Sequence, residues 1–264
     1  MAAERPIVLT IAGSDSGAGA GAQADLKTFA AHGVYGVSAL TAITAQNTLG
    51  VTAMAEVDTA LVAAQIDAIA ADLRPTAVKI GMLSSAEVIG VVAAKVREHR
   101  FERVVVDPVM VTQSGYRLIR DDAVQTLIAE MPPLTLVLTP NAGEAEALTG
   151  LTVRSAEQAR EAAPLIHRMG AAHVLIKGGH YEGDAVDVLY DGRSFVQHSA
   201  ARIDTVNTHG TGCTLSSAIA ANLALGASVP EAVERAKAYT TEAIRRGFRV
   251  GSGHGPLHHF YAWE

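Results

Sequence analysis

The chain has almost no capacity for covalent cross-linking. Cys213 is its only cysteine, so no disulfide can close within it, and a reducing cytoplasm is the expected setting. Basic residues are also short. The 21 Lys and Arg against 27 Asp and Glu leave a net charge of −6, which argues against a nucleic-acid surface. The N-terminus lacks a long apolar run: residues 7–12 are apolar and the chain then turns polar. That is too short for a signal-peptide core and far too short to span a bilayer. No Pro/Ser-rich linker, charge block or internal repeat interrupts the sequence. Residues 1–264 are therefore expected to form one domain, and a hydrophobic content of 49 % can supply its core. Two missing motifs narrow the chemistry. Without G-x-x-x-x-G-K-S/T there is no P-loop kinase, and the ten histidines show no H-E-x-x-H spacing that would make them metal ligands.

What the chain has is alternation. Short aliphatic runs at 7–12, 38–45, 77–80, 104–106, 134–138 and 174–176 read as strands. Helical stretches at 22–32, 61–73, 86–99, 122–130, 144–148 and 156–169 separate them, and helices at 214–225 and 231–245 close the chain. Residues 51–57 read as a short strand outside the main alternation, and 186–190 with 194–198 as a hairpin around Asp191-Gly192. Near-continuous Val, Ile and Leu strands between helices predict an α/β fold with a mostly parallel sheet covered on both faces.

In such sheets ligands sit beyond the carboxyl ends of the strands. Here those ends read Gly13-Ser14-Asp15, Gln46-Asn47, Gly81-Met82, Asp107-Pro108, Pro140-Asn141 and Lys177-Gly178-Gly179. One such end is routine turn chemistry. Six in a row predict a shared active site along that edge.

The stretch 205–226, TVNTHGTGCTLSSAIAANLALG, supplies the complement. Gly210 and Gly212 fall where a helix starts and backbone must approach closely, and Gly226 is placed to stop that helix. The first N–H groups of a helix lack internal partners and carry about half a positive charge, so this start is suited to an anion. An anion-binding turn holding Cys213 points to chemistry on a phosphate; the alternative is a tight turn into a core helix with Cys213 as a small filler. Thiols at helix N-termini ionise more readily than a free thiol at about 8.5, which makes Cys213 the candidate base for an attacking hydroxyl. His209 is expected to be structural. Gly19-Ala20-Gly21-Ala22-Gln23-Ala24 fits G-x-G-x-x-A, but the following strand ends in Gln46 rather than an acid, which weakens a dinucleotide reading.

The runs AGSDSGAGAGAQADLKTF, TAITAQNTLGV, KIGML, DPVM, TPNAGEAEAL, IKGGH, NTHGTGCTLSSAIAA and GPLHHF spread over residues 12–260. Together they resemble the bacterial hydroxymethylpyrimidine/phosphomethylpyrimidine kinases of thiamine biosynthesis, in the ribokinase-like superfamily. NTHGTGCT with AQN and KGGH is specific to this branch, since many sugar kinases carry Asp where Cys213 stands. Ala18 replaces a usual Gly, and Thr112-Gln113 stand where Ala-Lys is usual, which puts a phosphate contact there in doubt. No fused domain is expected beyond Glu264.

The resemblance implies a three-layer αβα ribokinase-like fold, with ATP and Mg²⁺ as cofactors. It implies phosphorylation of 4-amino-5-hydroxymethyl-2-methylpyrimidine and then of its monophosphate. A pyridoxal-type vitamin kinase on the same scaffold is the alternative, and a Rossmann-type oxidoreductase is the reading from another class. Partners are expected to be small molecules and a second copy in a homodimer, with no nucleic acid and no membrane. Phosphoryl transfer leans on positioning and charge, so donors, a metal and a base are needed. The donors are the amides of Gly210, Thr211, Gly212 and Cys213 and the ammonium of Lys177. Mg²⁺ takes oxygen ligands, and Asp107 and Glu144 are its candidates; the alternatives are a turn before Pro108 and a helix-terminal charge. Gln46 is expected to read the substrate ring, because a primary amide complements a ring nitrogen beside an exocyclic amine. The resemblance adds Gly13, Asp25, Met82 and Val109 around the pyrimidine, and Asn141, Thr208 and Lys237 near the nucleotide.

Overall fold

The computed structural model describes residues 5–111, 115–120, 122–179, 181 and 183–264; the Thr112-Gln113 departure lies outside them. Among the described residues nine strands pair into one sheet. They are β1 (Ile7–Asp15), β2 (Tyr35–Asn47), β3 (Gly50–Glu56), β4 (Ala77–Ile80), β5 (Val104–Val106), β6 (Val137–Leu138), β7 (His173–Ile176), β8 (Ala185–Tyr190) and β9 (Phe195–Ala200). Their order is β3-β2-β1-β4-β5-β6-β7-β8-β9. The run from β2 to β7 is parallel, and antiparallel β3 and β8–β9 extend the two edges.

The helices are α1 (Gly21–Ala31), α2 (Thr59–Asp72), α3 (Ala86–Glu98), α4 (Ala123–Glu130), α5 (Ala142–Thr149), α6 (Ala156–His167), α7 (Thr211–Ala224) and α8 (Val229–Arg245). They divide because strand side chains alternate between faces. Leu9, Ile11, Val104, Val106, Val174 and Ile176 join the core under α2 to α6. Val8, Val105 and Leu175, one residue out of phase, join the core under α7, α8 and Phe29 of α1. Burial on both faces is why these strands read as unbroken apolar runs. No helix among the described residues is long and apolar enough to cross a membrane.

Two elements depart from the sequence reading. The strand expected at 134–138 shrinks to β6, because Pro132 and Pro133 open a 3₁₀ turn over Pro132–Leu134. The last helix but one begins at Thr211, not 214, so Thr211, Gly212 and Cys213 form its first turn. Gly226, at φ 90°, ends it as expected. The stretch at 51–57 is β3, which folds back on β2 as an edge hairpin. Because β2 and β4 flank β1 on opposite sides, the strand order reverses there, and a crevice opens at such a reversal.

Candidate active site

The carboxyl ends of β1, β2, β4, β5, β6 and β7 open on one cavity of about 680 Å³, closed by the start of α7 and a face of α8. Gly13, Gln46, Met82, Asp107, Val109, Asn141, Glu144, Lys177, Thr208, Gly210, Thr211, Gly212, Cys213 and Lys237 line it. Asp25 does not.

Strand phase sets its charged centre. Asp107 and Lys177 follow Val105 and Leu175 by two residues and so keep to the α7 side, where Lys177 Nζ lies 2.6 Å from Asp107 Oδ1. The other side-chain contacts of Asp107 are long, 3.4 Å from Thr139 and 3.5 Å from Ser216. Among the described residues its Oδ2 is therefore weakly used. Burial opposes the charge of Lys177, but Asp107 and Glu144 outweigh it and hold the ammonium above its ordinary range.

Glu144 lies 3.8 Å from Lys177 and closes a capping box on α5. Its Oε2 accepts the Asn141 N–H at 2.7 Å, while Asn141 Oδ1 accepts the Glu144 N–H at 2.9 Å. Burial lifts this carboxyl to about 7; Lys177 pulls it down and Asp107 pushes it up.

The first turn of α7 lies against this centre. A Cβ on Gly212 would stand 3.2 Å from Asp107 Oδ2 and 3.3 Å from Lys177 Nζ. Gly210 has φ 84°, and a Cβ there would come within 1.9 Å of Gly19 O; only glycine fits. The Thr211 N–H turns to Thr208 O at 3.3 Å, which leaves the Gly212 and Cys213 amides without a backbone partner among the described residues.

Two expectations are corrected beneath the floor. Asp25, expected at the pyrimidine, is fully buried and bound to Lys79 at 2.9 and 3.0 Å, Thr10 at 2.6 Å and Ser217 at 2.7 Å. Thr10 and Lys79 are neighbours across β1 and β4, so this carboxylate ties α1 and α7 to the sheet. Cys213 was expected to ionise readily at its helix terminus. Burial instead pushes its thiol up to about 11; Lys79 lowers it, while Asp25 and Asp107 raise it.

At the far wall Asp15 gathers the β1–α1 loop. Its carboxylate accepts the N–H groups of Gly17 at 2.8 Å, Gly19 at 3.1 Å and Ala20 at 2.8 Å, and lies 2.8 Å from His209 Nε2. Burial works to raise this carboxyl, yet His209 and the backbone donors outweigh it and hold it below its usual value. The amides that a dinucleotide would need at Gly19 and Ala20 are thus spent on Asp15. This removes the physical basis of the G-x-G-x-x-A reading.

A family profile described as phosphomethylpyrimidine kinase matches residues 15–258. The chain belongs to that family. It is 55 % identical over 263 residues to the hydroxymethylpyrimidine/phosphomethylpyrimidine kinase of Rhizobium meliloti, covering 97 % of this chain and 98 % of that one. The crystal structure of phosphomethylpyrimidine kinase from Clostridium difficile 630 is 44 % identical with a TM-score of 0.82, over 91 % of this chain and all of that one. The pyridoxal kinase of Staphylococcus aureus in complex with AMP-PCP and pyridoxal is 36 % identical with a TM-score of 0.89, over 97 % of this chain and 94 % of that one. The fold is ribokinase-like, as the resemblance implied, and this phosphomethylpyrimidine kinase family member is a phosphotransferase that uses ATP.

Three groups in this kinase escaped the sequence reading. Lys79 is a lysine at 0 % exposure in the central strand AVKI. Asp187 accepts the Gly178 N–H at 2.8 Å and holds Lys237 Nζ at 2.8 Å, fixing the lysine at the cavity's α8 side. Its signal was available, because Asp187 shares the phase of buried Leu189. The Asp15–His209 pair joins residues 194 positions apart and leaves no local signal. One metal-type grouping exists among the described residues, Asp67 with Glu98 and His99. It lies on α2 and α3, outside the cavity, and Lys95 already bridges both acids.

Proposed function

We propose that this kinase transfers the γ-phosphoryl group of ATP to 4-amino-5-hydroxymethyl-2-methylpyrimidine, and then phosphorylates the monophosphate, in thiamine biosynthesis. The observation that carries the reading is the approach of the α7 N-terminus to the Lys177–Asp107 pair within one cavity. Free amides at a helix start and an ammonium are what a phosphoryl group in flight needs. The amides of Gly212 and Cys213 and the Lys177 ammonium would hold it, with Gly210 and Thr211 shaping the turn. Asn141, Thr208 and Lys237 would serve the nucleotide, and Gly13, Gln46, Met82 and Val109 the pyrimidine.

The residues present suit Mg²⁺. Asp107 offers Oδ2, which among the described residues is approached by the Ser216 hydroxyl at only 3.5 Å, and Glu144 adds a second carboxylate across Lys177. Bound there with several waters, the ion would neutralise charge on the phosphates. The proton of the attacking hydroxyl is a separate matter. With a thiol at about 11, only on the order of 10⁻⁴ of Cys213 is thiolate at pH 7. We therefore give the proton to the phosphate oxygens and leave Cys213 as a wall of the site, in keeping with transfer that relies on positioning.

The likeness to a pyridoxal kinase favours pyridoxal as the second reading. The homodimer would use the β2–β3 edge of the sheet, where Ile43 and Leu49 are exposed. The deciding experiment measures ATP consumption with hydroxymethylpyrimidine, its monophosphate and pyridoxal in parallel. Turnover of both pyrimidines with kcat/KM at least about tenfold above pyridoxal is expected. Pyridoxal as the preferred substrate would overturn the assignment.

A further inference from the structure

Gln46 stands at the junction of three segments. Its backbone is pinned to the β1–α1 loop, since Ser16 Oγ donates to Gln46 O at 2.7 Å and accepts the Gln46 N–H at 2.8 Å. One end of its side-chain amide lies 3.2 Å from Thr44 Oγ1, and the other lies 3.3 Å from His209 Nε2. His209 is held in turn, its ring against Asp15 and its N–H on Gly255 O at 3.1 Å. A Cβ on Gly19 would come within 2.3 Å of the His209 ring, so the loop and the ring are in close contact.

Hydrogen accounting decides which way the amide points. Thr44 has one hydroxyl hydrogen, and its 2.7 Å contact to the Ser14 carbonyl takes it, because a carbonyl only accepts. The amide end facing Thr44 must then be a donor. At the other end, the Asp15 carboxylate already accepts three backbone N–H groups, so the 2.8 Å contact requires a hydrogen on His209 Nε2. The amide end facing that nitrogen must be an acceptor, sharing at 3.3 Å, in a three-centre bond, the hydrogen that Nε2 gives to Asp15. The orientation with Oε1 at Thr44 and Nε2 at His209 fails both tests, and exchanging two nearly isosteric groups satisfies both.

We propose that Asp15 and His209 are positioning residues that, with Thr44, lock the Gln46 amide with its carbonyl oxygen toward His209 and its NH₂ toward Thr44. The lock fixes the donor–acceptor pattern shown to the substrate ring. One N–H and one lone pair remain for the cavity. They match a ring nitrogen beside an exocyclic amine. A ring bearing an acceptor oxygen in place of the amine leaves the carbonyl unpaired, and an amide held at both ends cannot turn over to suit it. The specificity half of this proposal rests on Gln46 meeting the substrate ring; the lock itself does not.

Two readouts test it. In ¹⁵N-edited NOE spectra of the protein without substrate, the Gln46 NH₂ resonances are identified by their loss in Gln46→Glu. They should show contacts to the Thr44 methyl group; contacts to the His209 ring instead would overturn the lock. In kinetics, Thr44→Val removes the acceptor while keeping the shape. The KM for hydroxymethylpyrimidine should rise about tenfold, with kcat and the KM for ATP within about twofold, and Thr44→Ser should restore it. A fall in kcat with all KM values unchanged would mean a merely structural role and overturn the proposal. A Gln46→Ala enzyme with wild-type KM for the pyrimidine would remove ring recognition and the specificity half with it, while the NOE pattern still decides the lock.

Discussion

Lys79–Asp25 and Lys177–Asp107 are both buried pairs on the α7 side of the sheet, one at the cavity floor, with Lys79 against the cavity and Asp25 behind it, and one in its wall. In the first, both side chains are at 0 % exposure, and the carboxylate is saturated by Lys79, Thr10 and Ser217 at 2.6–3.0 Å. In the second, the lysine side chain keeps 12 % exposure, and among the described residues the acid's side-chain contacts beyond Lys177 are long, at 3.4–3.5 Å. A saturated pair has nothing to offer a ligand, so its role is to join α1, β1, β4 and α7. An undersaturated pair at a cavity retains lone pairs and protons for a metal or a phosphate. The two are told apart by what remains unbonded, since both look alike as a Lys–Asp contact.

The largest effect should come from unpairing the saturated one. Lys79→Met leaves a fully buried carboxylate without its cation, a change that typically costs roughly 3–5 kcal/mol. Urea unfolding should show that loss, and Lys79→Met with Asp25→Asn should regain much of it by discharging the acid while keeping an acceptor for Thr10 and Ser217. A single variant within about 1 kcal/mol of wild type would show that the pair does not bind the layers together.

The cavity pair should respond in the opposite currency. Lys177→Ala removes a cation from the expected path of the phosphoryl group, and loss of one such donor typically costs roughly 10²–10³ in kcat. Its unfolding free energy should fall by less than that of Lys79→Met, because truncating a lysine that lines the cavity opens a path for water to Asp107, which is 1 % exposed in the native protein. Equal stability losses in the two variants, with Lys177→Ala still active, would erase the distinction.

The sequence made one side of this comparison legible and hid the other. Lys177 and Asp107 were visible because each ends a strand, where polar residues cluster toward the ligand edge. Lys79 sits inside AVKI between two apolar residues, and its pairing with Asp25 depends on α1 lying over β1 and β4, which no local pattern encodes. The strands themselves were readable because burial on both faces makes them mostly apolar. The run at 134–138 misled because its apolar character continues through the 3₁₀ turn that Pro132 and Pro133 impose. Cys213 departs from its local pattern for a related reason. The helix terminus that favours a thiolate is local and visible, whereas the burial that overrides it is set by the whole cavity floor.

The smallest expected effect sharpens the comparison through pH. Glu144 belongs to the undersaturated cluster, and burial lifts its carboxyl from the ordinary 4.5 to about 7. Between those values the native protein holds a proton that the unfolded chain has released. The stability this contributes is full below about 4.5 and is lost as pH rises through about 7. Glu144→Gln imitates the protonated acid and keeps the reach to the Asn141 N–H, since Gln also closes a capping box. Wild type should therefore lose a few degrees of Tm relative to Glu144→Gln between pH 5 and pH 8, at about 2–4 °C per kcal/mol for a chain of this size. Mg²⁺ should reverse that slope. A cation needs the ionised carboxylate, so it should raise the wild-type Tm more at pH 8 than at pH 5.5 and leave Glu144→Gln nearly unaffected. Parallel Tm curves for the two proteins across this range, with and without Mg²⁺, would mean that Glu144 serves the α5 cap alone, and the working cluster would then reduce to Asp107 and Lys177.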